Sequence, residues 1–231
     1  MFSFILVVCL AGVFSLAPFA LYLLWLVTLN RRDRPTVVAG RWDFAALLGG
    51  LSGFVLFGGG LLLTLLQSNV RYWMRGNFES LRQAWNQEQV AWTLVAAAYL
   101  IVVVGGALLT LAARRRTLVI YNIDPGQFES LLGEVFEHSG RAVERRGNVW
   151  AAAAPLLELE PFPAGRSVAV RWLTADTVLT QEVERQIRSA VPSLSAAESQ
   201  PARWLMTGAV GSLSVVVFCV VLLLYGLSVV R

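Results

Sequence analysis

Arg114-Arg115-Arg116-Thr117-Leu118-Val119-Ile120-Tyr121-Asn122-Ile123 marks the point where a long apolar run ends and the only long polar span of this chain begins. Three consecutive arginines stop a helix from being translocated further. The β-branched and aromatic residues behind them, punctuated by Asp124-Pro125, read as a strand. The polar span continues to Pro201, and apolar sequence resumes after it. Whatever this chain does in water is therefore expected between residues 114 and 200.

The flanks are membrane-like. A spanning helix needs about 20 largely apolar residues, and residues 2–29, 44–66, 90–112 and 204–230 each meet that length with no Asp, Glu, Lys, Arg or His inside. The 231-residue chain is 56% hydrophobic and only 15% charged, with a mean hydropathy of +0.62, outside the range of soluble globular domains. No positive residue precedes the first span, and cleavage after Ser15-Leu16-Ala17 would leave a stub too short to cross. The first span is thus expected to be retained, kinked near Pro18 and anchored at the interface by Tyr22 and Trp25.

Charge sets the orientation. The segment Asn30-Arg31-Arg32-Asp33-Arg34-Pro35, followed by Arg41, is a short basic loop, and Arg114, Arg115 and Arg116 form the second basic run. The positive-inside rule places both in the cytoplasm of a bacterial inner membrane, with the N- and C-termini outside. All 19 basic residues are arginine, as GC-rich coding favours, and the net charge is +4. Because the arginines sit beside spans and form no stripe, nucleic acid is not an expected partner. Topology and contact with anionic lipid headgroups are the two roles expected of Arg31, Arg32, Arg34, Arg114, Arg115 and Arg116.

Small residues mark helix faces. Gly49 and Gly53 stand four apart in the second span, Gly105 and Gly106 lie in the third, and Gly208 and Ser212 in the fourth. This spacing lets helices approach closely, within one bundle or between copies. Between spans two and three, residues 67–89 read as an outer loop. Asn77 is its N-cap candidate and Phe78, Leu81 and Trp85 give an amphipathic helix on the membrane face.

Within residues 114–200, Asp124 caps a helix with Pro125 at its first position. Phe128, Leu131, Leu132, Val135 and Phe136 then form one apolar face, and Gly140 ends it. Gly147-Asn148 signals a hairpin, Val168, Val170 and Trp172 share a strand face, and Leu179, Val183 and Ile187 line a second helix. The expected order is β-α-β-β-β-α, or β-α-β-β-α with the Leu157 segment as loop. This is a partly ferredoxin-like α+β module, inserted in an all-α bundle of four transmembrane helices and covered on one face by its two helices.

Chemistry is harder to find. Cys9 and Cys219 lie inside spans without companion ligands, and His138, the sole histidine, falls in the last turn of a helix where capping explains it. Glu158 with Glu160, and Glu182 with Glu184, do not converge. No phosphate loop, dinucleotide fingerprint, nucleophile elbow or HExxH motif occurs, so no catalytic, metal or cofactor site is assigned. The expected function is a non-enzymatic accessory or scaffold subunit whose cytoplasmic module binds other membrane subunits or a second copy. The alternatives are an oligomeric channel or passive transporter gated by that module, and a membrane enzyme acting on anionic headgroups.

Overall fold

The computed structural model describes residues 2–66, 78–194 and 200–230. Helix α1 (Phe2–Asn30) is followed by strand β1 (Thr36–Ala39), α2 (Gly40–Leu66) and α3 (Phe78–Ala113). Then come β2 (Thr117–Tyr121), α4 (Pro125–His138), β3 (Glu144–Arg146), β4 (Val149–Ala151), β5 (Pro155–Phe162), β6 (Ser167–Trp172), α5 (Thr177–Ala190) and α6 (Gln200–Val230). Four helices are long and apolar enough to cross a membrane, through Ile5–Asn30, Gly40–Gly59, Thr93–Arg116 and Ala202–Gly226. The chain divides into two compact units, one of residues 1–23, 47–110 and 207–231, the other of residues 24–46 and 111–206.

In the first unit α1 is the common partner. On α2, Gly50 lies against the Tyr22 side chain, where an added β-carbon would come within 2.6 Å, and Gly53 lies directly on the backbone of Phe14 and Ser15. Phe54 meets Phe19 edge to face with centroids 5.7 Å apart, and Phe57 stacks on Phe14 at 6.0 Å. Rising numbers on α2 meet falling numbers on α1, so the two helices run antiparallel. Gly12 with Cys219, and Leu23 with Gly208, make the corresponding antiparallel contacts between α1 and α6. Gly59 faces the Tyr99 ring of α3, whose hydroxyl donates to the Val55 carbonyl. A half-buried hydroxyl on a spanning helix needs such an acceptor, because the hydrocarbon layer offers no water.

The expected outer amphipathic helix is not a separate element, because residues 78–89 form the first turns of α3. Helical backbone propagates at little cost once nucleated, and no proline or glycine interrupts that stretch. Asn77 and the rest of the loop up to it lie outside the described residues. Helix α1 runs unbroken through Pro18.

The second unit is built on a six-stranded antiparallel sheet in the order β1-β2-β6-β5-β4-β3. The two helices pack on one face: Leu118 and Ile120 of β2, Leu157 and Leu159 of β5 and Val168, Val170 and Trp172 of β6 are buried together with Phe128, Leu132 and Phe136 of α4 and Leu179, Val183 and Ile187 of α5. Each helix is stopped and started locally. The Asp124 carboxylate accepts the Gly126 and Gln127 amides, and Asp176 accepts those of Val178 and Leu179. Gly140, at φ +67°, closes α4, with Arg141 N–H reaching back to the Phe136 carbonyl. Gly147, at φ +65°, occupies the first central position of the β3–β4 turn.

Three features differ from the expected α+β order. A helix, four strands and a helix follow β2, one strand more than the longer expected order, and the Leu157 segment is a strand and not a loop, pairing with β6 from Leu157 to Phe162. The β3–β6 meander then returns stepwise, leaving β2 and β3 parallel but separated by three strands. A ferredoxin-like split unit has one strand there. The sheet edge left open by the chain's departure into α6 is covered by β1, a four-residue strand from the loop between the first two helices, pairing Val38 with Val119 and Thr36 with Tyr121. On the second face of the sheet, Val119 and Tyr121 are buried with Leu29 and packed by Trp25 and Leu26, the last turns of α1.

Candidate functional site

The β1–β2 ladder gathers the arginines. Four backbone pairs tie the 30–35 loop to the sheet, and the side-chain amide of Asn122, itself buried and at φ 59°, donates to the Arg32 carbonyl at 2.7 Å. Asparagine tolerates this left-handed backbone because its short amide can bond locally. At Gly40, where β1 turns into α2, an added β-carbon would lie 2.8 Å from Thr117 Cβ, so only glycine lets the strand pass this close. Hydrogen-bonded strands cannot be on opposite sides of a bilayer. The loop of Arg31, Arg32 and Arg34 and the run Arg114–Arg116 therefore share one side of any membrane the helices cross.

The arginines separate into three groups. Arg114 is engaged structurally, with its guanidinium 3.9 Å from the Asp43 carboxylate and 5.2 Å from the centre of the Phe44 ring. Asp43 also accepts the Tyr121 hydroxyl and stands in the first turn of α2, where the helix dipole favours an acid. Arg31, Arg32 and Arg34 line a first cleft of about 610 Å³, together with Asp33, Pro192 and Arg188 of α5. Arg115 and Arg116 line a second, of about 330 Å³, with Arg41 and again Arg188. Among the described residues none of Arg31, Arg32, Arg34, Arg41, Arg115 and Arg116 has a carboxylate within 4.0 Å.

Arg188 and Arg41 carry weight the sequence did not disclose. Arg188 lies 72 residues beyond Arg116 on a helix whose pattern announces only a solvated face, and folding alone brings it between the two clefts. It donates to Glu184 through Nε at 3.0 Å and Nη2 at 2.8 Å. Two of the other carboxylates named above are also paired, Glu158 with Arg171 across the β5–β6 ladder at 3.8 Å and Glu182 with Arg185 at 2.7 Å. The Arg185 bond, helped by the Gln186 amide, holds the Glu182 carboxyl below the usual carboxylate range. His138 turns its Nδ1 to the Glu134 carbonyl at 2.8 Å, satisfying a last-turn acceptor of α4.

The small residues also divide. Gly53 and Gly208 lie at helix contacts inside the chain, whereas among the described residues nothing comes within 4 Å of a β-carbon at Gly49, Gly105 or Gly106; Ser212 is half-buried on α6. The α1–α2 seam uses Gly50 and Gly53, three apart, in place of the Gly49 and Gly53 pair. Cys9 and Cys219 are buried and free. Among the described residues no three of His, Cys, Asp and Glu gather as a metal site would require. In comparisons with protein families, curated proteins and solved structures, none matches this chain.

Proposed function

We infer that this chain is a multi-pass protein of a bacterial cytoplasmic membrane, acting without catalysis as an accessory or scaffold subunit that associates with other membrane subunits or with a second copy of itself. The observation that carries this reading is the state of α3. None of the residues in its window Thr93–Arg116 is buried by the rest of the chain, and Gly105 and Gly106 have no described atom within 4 Å of where a side chain would begin. Glycines left bare on a spanning helix suit the close approach of another helix. The sheet-bearing unit, from about residue 114 to 200 with β1 added, would face the cytoplasm, because the positive-inside rule acts on both basic segments that the β1–β2 ladder joins.

The test is native mass spectrometry of the full chain solubilised from its own membranes. The expected result is a complex of two or more chains that Gly105→Leu and Gly106→Leu convert toward monomer. A wild-type protein that is strictly monomeric and carries no co-purifying chain overturns the reading.

A further inference from the structure

We propose that the second cleft, between the start of α2, the end of α3 and the outer side of α5, is a phosphate-binding site whose occupant is the headgroup of an anionic phospholipid. This inference is independent of the association proposed above.

Three chain segments supply the site. Arg41 comes from the first turn of α2, Arg115 and Arg116 from the three residues after α3, and Arg188 with Thr177 from α5. Three of the four guanidiniums have no carboxylate partner among the described residues. The fourth is held by Glu184, which lines the same cleft and is its only acid. Glu184 engages Nε and Nη2 of Arg188, so Nη1 is left to point elsewhere. The cleft thus carries an excess of three positive charges, far from the near-balance of acids and bases in the polar span as a whole.

Neutral donors accompany the charge. The Thr174 hydroxyl accepts the Asp176 amide at 3.2 Å and so has its proton to give. Trp172, 5% exposed, also lines the cleft, and its indole N–H has no acceptor among the described residues. Forked guanidiniums with hydroxyl donors beside them match the oxygens of a phosphate ester better than they match a lone carboxylate. The volume of about 330 Å³ accommodates a phosphate and a short polyol.

Chain position selects the source. Arg41 is the second residue of the window Gly40–Gly59, and Arg115 and Arg116 end the window Thr93–Arg116. Charges at the ends of two spans stand at the level where headgroup phosphates lie. The first cleft has Thr36 as its one hydroxyl and includes Asp33 beside its arginines, so it is the weaker site.

The experiment uses the full chain in two arms. In nanodiscs of phosphatidylcholine with a minor share of phosphatidylglycerol, native mass spectrometry should find phosphatidylglycerol retained selectively. The retention should fall about tenfold or more in Arg41→Gln/Arg115→Gln/Arg116→Gln, each charge contributing on the order of a few-fold. Since basic residues also set topology, Thr177→Asp is the second variant. It leaves every arginine in place and puts an acid where the α5 dipole favours it, so the helix persists while a carboxylate enters the cleft. It too should abolish selective retention. Arg145→Gln/Arg146→Gln, on the β3–β4 hairpin, should leave retention unchanged.

The second arm titrates the detergent-solubilised chain with inorganic phosphate. Phosphate binding lost in Thr177→Asp supports the site with a soluble phosphate as its occupant. Phosphatidylglycerol retention without phosphate binding supports the lipid. Retention that survives Thr177→Asp, that falls equally in the hairpin variant, or that is absent in both arms overturns the site.

Discussion

A β-carbon at Gly53 would run into the carbonyl oxygen of Phe14 and the α-carbon of Ser15, whereas one at Gly49 would meet nothing described within 4 Å. The two positions, four apart in sequence, therefore separate a helix contact inside the chain from a bare stretch of helix surface. Gly53→Val should lower the thermal midpoint of the detergent-solubilised protein, with an overpacking cost of about 1–3 kcal/mol. Gly49→Val should leave that midpoint nearly unchanged. A second residue-scale expectation concerns Glu182. Its carboxyl is held below the ordinary range chiefly by Arg185 and then by Gln186. Its folded value is below its unfolded one, so the contribution to stability is present above the unfolded value and is lost as pH falls through the folded one. A carboxyl-carbon NMR titration of labelled protein should place its midpoint below the ordinary glutamate value, and Arg185→Gln should bring it back up.

At the scale of elements, β1 is the piece that joins distant parts of the chain. It is four residues long and gains its backbone partners only from β2, about 80 positions later. A Val38→Cys/Val119→Cys pair, directly opposed in the ladder, should cross-link under mild oxidation in native membranes. Ala39→Cys with Val119→Cys, one register step away and on the opposite sheet face, should not. Efficient cross-linking of the first pair would demonstrate that the loop between α1 and α2 and the segment after α3 share a membrane side. Helix α4 differs from β1 in announcing itself, because Phe128, Leu131, Leu132, Val135 and Phe136 repeat at helical spacing and all five are buried. Local period is enough to specify a helix face, while a four-residue edge strand carries too few residues to display a period at all.

For the whole molecule, the proposed orientation puts the sheet on the cytoplasmic side, and labelling tests it. Gly147 sits at the exposed tip of the β3–β4 hairpin, and the native Cys9 and Cys219 are buried within spans. Gly147→Cys should react with a membrane-impermeant maleimide in inverted vesicles and remain unlabelled in intact cells. Labelling from outside would reverse the proposed orientation and with it the cytoplasmic reading of both basic segments. A change at that glycine strains the turn by its positive φ, so Asn148→Cys serves as the companion site.

What the amino-acid order determined by itself were the local quantities: four apolar lengths sufficient to span, the arginine runs beside them, the caps Asp124-Pro125 and Gly140, the Gly147-Asn148 turn and the buried faces of both short helices. Each depends on neighbours within a few residues, through helix or strand period, backbone φ or hydropathy. Tertiary structure alone decided the pairing of β1 with β2, the burial of Val119 and Tyr121 beneath the end of α1, the choice of Gly50 and Gly53 for the α1–α2 seam, and the meeting of Arg188 with Arg41, Arg115 and Arg116. These depend on contacts between residues far apart in sequence, whose register is set when backbone groups and apolar faces must all be satisfied together.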